Sequence, residues 1–166
     1  VNGVEWTLEA GISPGLNMLF GNLGDTKETL QKAVDFLIEY DDQAQRRTIR
    51  PVTPYPGSPL YYMAIERGLL EGPADFYEKK HLNSDLLCCN FTELSDEEVY
   101  AALEDANKQL AVNFFDSNRD NALSQIEYLY REKDTTFRGF RQGMKSQGKS
   151  APATGASFGA AASDSM

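Results

Sequence analysis

Residues 116–127, DSNRDNALSQIE, carry oxygen-bearing side chains at the spacing that wraps a hard cation. Counted as a twelve-residue loop, Asp116, Asn118 and Asp120 stand at positions 1, 3 and 5, with Ser124 at position 9 and Glu127 at position 12. Leu123 fills the hydrophobic position 8, so the stretch has an EF-hand-like calcium pattern closed by a potentially bidentate carboxylate. Asn121 stands where glycine normally makes the bend, and asparagine enters the left-handed region more readily than most residues. No second such loop is visible. The competing reading of this acidic stretch is a junction between helices.

Other reactive groups are sparse. Cys88 and Cys89 are neighbours, a poor geometry for a disulfide, and they lack the C-x₂-C spacing of a metal site. They read as small apolar residues of a strand-like LLCCNF. His81 is the single histidine and reads as a surface or loop residue. Asn90-Phe91-Thr92 is a formal glycosylation sequon. Asn17 and Arg50 are polar residues within strand-like runs; they point into an interior and toward a ligand, or they lie on the helix-facing side.

The elements that would position these groups come as two similar units. GLNMLF (15–20) is a short apolar run of the kind found in buried parallel strands. Gly21 and Gly24 then make a turn, Asp25 caps with Glu28 at capping-box spacing, and Leu30, Ala33, Val34 and Leu37 share one helical face. TIRPVT (48–53) reads as a second strand. The turn Pro54-Tyr55-Pro56-Gly57 follows, with Ser58 as N-cap, Pro59 at the first helical position and Gly68 as the terminator. Two consecutive βα units imply a parallel sheet or barrel with right-handed crossovers. Before them, residues 1–10 look like the end of a helix stopped near Gly11. After them, residues 71–94 have no clear period. Ser95 and Glu98 cap a helix of about twenty residues through Val99, Ala102, Leu103, Ala106 and Leu110, and a further helical stretch carries Ala122, Ile126, Leu129 and Tyr130.

Over residues 8–141 the chain resembles the C-terminal part of radical SAM enzymes, most closely the cobalamin-binding, methyltransferase-type branch. GLNMLFGNLGDTKETL resembles the fifth strand and its Gly-Leu-Pro-Gly-Glu-Thr turn, and RPVTPYPGSPLYYMAIERGLL resembles the sixth strand and its Thr-Pro-Tyr-Pro-Gly turn. LLCCNFTELSDEEV and YLYREKDTTFRGFR resemble segments that follow the barrel. The resemblance implies an α/β fold: the last two βα units of a partial (β/α) barrel in 1–70, then an irregular segment and α-helical extension in 71–141; the Ser/Ala/Gly-rich residues 142–166 lack a core pattern and read as a disordered low-complexity tail. The resemblance also implies that Leu19 and Gly21, with Thr53, Pro54 and Tyr55, line the adenosine side of the SAM cofactor, Asn17 and Arg50 being further candidates. The implied parent activity is reductive cleavage of SAM to a 5′-deoxyadenosyl radical at a 4Fe-4S cluster, with cobalamin in methylating members.

Departures limit that expectation. Asn22-Leu23 replaces Leu-Pro, and Asp25 replaces Glu. The three-cysteine C-x₃-C-x₂-C cluster motif is absent from the chain, and two adjacent cysteines cannot replace it. No catalytic residue or metal ligand is therefore assigned, and the chain alone is expected to be inactive. The opening on Val1 inside an amphipathic stretch reads as a piece of something longer. The first four βα units would come from a missing N-terminal barrel half or a second chain; without them the barrel edge would be exposed and stability marginal.

A net charge of −9 argues against nucleic acid or an anionic membrane as partner, and the resemblance implies a small-molecule substrate of unspecified structure. With no apolar run of membrane-spanning length and no secretory leader, a cytoplasmic setting is expected. A third reading is a non-catalytic interaction domain docking through the basic-aromatic FRGFR (137–141).

Overall fold

A computed structural model of the protein describes residues 1–133, 135 and 136. The expected tail (142–166) and the FRGFR stretch lie outside the described residues. In chain order the elements are α1 (Asn2–Glu9), β1 (Met18–Phe20), α2 (Lys27–Tyr40), β2 (Ile49–Pro51), α3 (Pro59–Glu66), the short α4 (Pro73–Asp75), a π-helical turn (Phe76–Lys80) and the long α5 (Asp96–Glu132). The architecture is mixed and helix-rich around one two-stranded parallel sheet.

The sheet pairs Met18 with Ile49, Leu19 with Arg50 and Phe20 with Pro51. Alternation along each strand sends Phe20, Ile49 and Pro51 into the interior and leaves Leu19 and Arg50 outside. Helices α2 and α5 cover the inner face. Phe20 and Ile49 meet Leu30, Val34 and Leu37 of α2 and Val99, Leu103, Ala106 and Leu110 of α5 in one core. Burying each large apolar side chain there contributes roughly 1.5–3 kcal/mol. The α5 helix, which the sequence places in an extension after residue 70, thus shares the core of the βα units.

Local signals place the helix starts. Ser58 Oγ accepts the N–H of Tyr61, Pro59 occupies the first turn, and Gly68, at φ +69°, follows the last turn of α3. Ser95 and Glu98 form the expected reciprocal capping box of α5. The cap of α2 is Thr26 rather than Asp25: Thr26 and Thr29 exchange side-chain and backbone hydrogen bonds. Asp25 is engaged elsewhere, because its Oδ2 accepts the N–H groups of Gly21 (3.0 Å) and Asn22 (2.9 Å) and so closes the turn after β1.

Two further expectations change. Residues 71–94 are not wholly irregular, since Pro73 starts a short helical turn that widens into the π-helical turn closed by His81 N–H on the Phe76 carbonyl. This segment forms a second cluster in which Tyr61, Ala64 and Leu70 surround Phe76, Cys88, Cys89 and Phe91. The two helical stretches of the C-terminal third are one helix of 37 residues without a junction. Among the described residues, no helix is long and apolar enough to cross a membrane.

Candidate functional site

The turn after β1 and the turn after β2 lie side by side because the strands are parallel and in register. The last rung of the ladder is the Val52 N–H donated to the Phe20 carbonyl at 2.8 Å, one residue before each turn begins. This C-terminal edge holds Gly21, Thr53, Pro54 and Tyr55. Gly21 is buried at φ +100°, a conformation that favours glycine, and it lets the chain bend while its N–H meets Asp25. Pro54 is fully buried, and the Thr53 carbonyl accepts the Tyr55 N–H at 3.0 Å. The Tyr55 carbonyl in turn accepts the Ser58 N–H, which ties the turn to the N-cap of α3.

The outer face of the sheet carries Leu19, which is 62% exposed, in register with Arg50. Asn17 is exposed one residue before β1, so it sits at the opposite end of the strand from Gly21. Of the seven candidates, Leu19 and Arg50 share the open face. Gly21, Thr53, Pro54 and Tyr55 share the strand ends. Asn17 stands apart from both.

Two residues that sequence reasoning passed over touch this set. Tyr55 Oη lies 3.4 Å from Nε2 of His81, and the two rings meet edge to face at 5.3 Å. His81 is half-buried and stacks on the buried Phe76 ring at 5.0 Å. Asp85 Oδ1 lies 2.8 Å from Arg50 Nε, an ion pair between two exposed side chains. The segment after the π-helical turn therefore reaches both strand-end and strand-face candidates. No spacing in the sequence signals these pairs, because their members are 26 and 35 positions apart.

Charged groups are also held behind the sheet. Asp41 and Asp42 have side chains only 1% exposed, and Arg47 reaches both, at 2.7 and 3.9 Å. Its Nη2 also donates to the Pro14 carbonyl at 2.8 Å, which fastens the approach to β1.

The cysteines do not fit a cluster site. Both are buried and free, with sulfurs 3.9 Å apart. Burial pushes the Cys88 thiol up and, together with the neighbouring Cys88, pushes Cys89 up to about 12; the cluster chemistry needs three cysteine ligands, and the sequence has only these two, adjacent. No step of iron–sulfur chemistry is derived from this chain.

The calcium spacing meets a correction of conformation. Residues 116–127 are helical throughout, so their side chains fan around an axis instead of converging as a loop would make them. Asp116 and Asp120 pair with Arg119, and Asn118 donates to the Phe114 carbonyl one turn back. Calcium binding in the expected geometry would require this helix to open.

The chain matches no family model, no curated protein and no solved structure.

Proposed function

We propose that the chain forms the last two βα units of a partial (β/α) barrel in a radical SAM-type enzyme of the cobalamin-binding kind. Its open sheet face and adjoining strand ends present Leu19, Gly21, Thr53, Pro54 and Tyr55 to the adenosyl cofactor. The observation that carries the reading is the one-sided sheet. Among the described residues, α2 and α5 pack one face of the two parallel strands, the other leaves Leu19 and Arg50 exposed, and the strands end in the Thr-Pro-Tyr-Pro-Gly turn. Parallel sheets are ordinarily covered on both faces, so this face is suited to line an interior completed by further strands. In this reading the cluster thiolates belong to another segment or chain, since this sequence lacks the three-cysteine motif, and the chain alone is inactive.

The test is to read the coding sequence in frame ahead of Val1. A C-x₃-C-x₂-C motif with four more βα units is the expected result. The protein carrying it, reconstituted with iron and sulfide without oxygen, should release 5′-deoxyadenosine from SAM on reduction. A stop codon there, with no adjacent reading frame supplying the motif, would overturn the proposal.

A further inference from the structure

The outer flank of β2 bounds a cavity of about 250 Å³ lined by Arg46, Thr48, Ile49, Arg50, Asp85 and Asn107. It lies outside the strand-end site, and its polar character follows from strand alternation. From Arg46 to Pro51, Ile49 and Pro51 are buried and Arg47 is half-buried on its carboxylates, while Arg46, Thr48 and Arg50 are exposed. Three donor side chains, each two residues from the next, thus fall on one side of the chain.

The three arginines of this stretch differ in what they already hold. Arg47 is occupied by Asp41, Asp42 and the Pro14 carbonyl. Arg50 forms an ion pair with Asp85. Arg46 has no ion pair or side-chain hydrogen bond among the described residues. Two guanidiniums against one carboxylate leave the cavity net positive in a chain whose overall charge is −9. Asn107 is not available to a ligand, because its amide is spent on Ile49 and Leu103. Planar guanidinium forks flanking a hydroxyl match the oxygen geometry of a phosphate or carboxylate.

We propose that this cavity binds the oxyanion of a small ligand, a phosphate or a carboxylate, through Arg46 and Arg50 with Thr48 donating, and that Asp85 is the resident competitor for Arg50. The site does not depend on the radical SAM reading, because its residues need no cofactor; Arg50 is the one side chain it shares with the open sheet face.

The test is an amide-resolved NMR titration of the chain with inorganic phosphate and, separately, acetate, each against sodium chloride at matched ionic strength. The expected result is saturable movement of the Thr48, Arg50 and Asp85 amides with a Kd in the millimolar range. Tighter phosphate assigns a phosphate ligand, and tighter acetate assigns a carboxylate. Arg46→Gln and Arg50→Gln should each weaken binding about tenfold, the loss of one charge-assisted contact. Asp85→Asn should tighten it several-fold by freeing Arg50. These three side chains are solvent-exposed, and an unchanged circular dichroism spectrum verifies that each variant folds. Movement no greater than with chloride, indifference to the arginine variants, or weaker binding in Asp85→Asn would each overturn the proposal.

Discussion

The side-chain amide of Asn107 closes on both backbone groups of Ile49: its Oδ1 accepts the N–H at 2.9 Å and its Nδ2 donates to the C=O at 3.0 Å. A residue of α5 thereby takes the place of a neighbouring strand along the outer edge of β2. The next residue whose backbone points to that edge is Pro51, which has no N–H to leave unpaired. The exposed edge expected from a two-unit fragment is therefore closed on this side. Along β1 the Phe20 carbonyl faces β2, so the N–H and C=O of Leu19 point the other way, where no described strand pairs.

Asn107→Ala should cost about 1–3 kcal/mol, because it strands the Ile49 pair, which the amide satisfies at one point. Asn107→Asp should be no better, since a carboxylate would face the carbonyls of Ile49 and Leu103. Urea unfolding of the three proteins checks both. A stable Asp variant would show that donation to the carbonyls contributes little.

Arg47→Met should cost about 3–5 kcal/mol by leaving two buried carboxylates without their cation. Adding Asp41→Asn and Asp42→Asn to that variant should recover much of the loss. A double-mutant treatment of the unfolding free energies measures the coupling. Additive losses would mean that the burial, not the pairing, dominates.

The raised Cys88 and Cys89 thiols give the fold an alkaline limit. Their neutral forms are favoured in the folded state. The stability they contribute is therefore fully present below the ordinary thiol value of 9.0 and is lost as pH rises toward about 12 for Cys89. Thermal unfolding between pH 8 and the Cys89 value should show the decline, and a Cys88→Ala/Cys89→Ala variant should show a smaller one. At pH 8 the native thiols should label with a disulfide reagent only after denaturation.

Adjacent residues of β1 should answer oppositely to truncation. Phe20→Ala, deep between α2 and α5, should cost about 3–5 kcal/mol. Leu19→Ser, on the bare face, should stay within about 0.5 kcal/mol. A large loss at Leu19 in the isolated chain would mean that this face is covered in solution.

How far the sequence disclosed these features depends on whether the information is local. Ser58-Pro59 and Ser95 with Glu98 are short-range devices, and both helices start where those residues dictate. Asp25 and Thr26 are both good caps, and the choice fell to Thr26 because the amides of Gly21 and Asn22 engage the Asp25 carboxylate. The loop or junction expected over residues 116–127 rested on oxygen-bearing side chains at calcium spacing. Within the helix those side chains find local partners instead, Arg119 for the acids and the Phe114 carbonyl for Asn118, and the helix continues. Strand alternation made the exposed setting of Leu19 and Arg50 readable as one of two choices. The contacts of Arg50 with Asp85, Tyr55 with His81 and Ile49 with Asn107 join distant segments, and only the folded chain brings them together.

The length of α5 has a mechanical consequence. Its buried residues end at Leu110, although the helix runs on to Glu132. At 1.5 Å per residue, the remaining 22 residues extend the axis by about 33 Å. The helix thus acts as a spar: one end is set in the core, and the other fixes how far from the sheet the chain continues. Inserting four residues between Leu110 and Glu132 would lengthen that offset by about 6 Å and turn the far end by only about 40°, whereas inserting two would turn it by about 200°, to the opposite side.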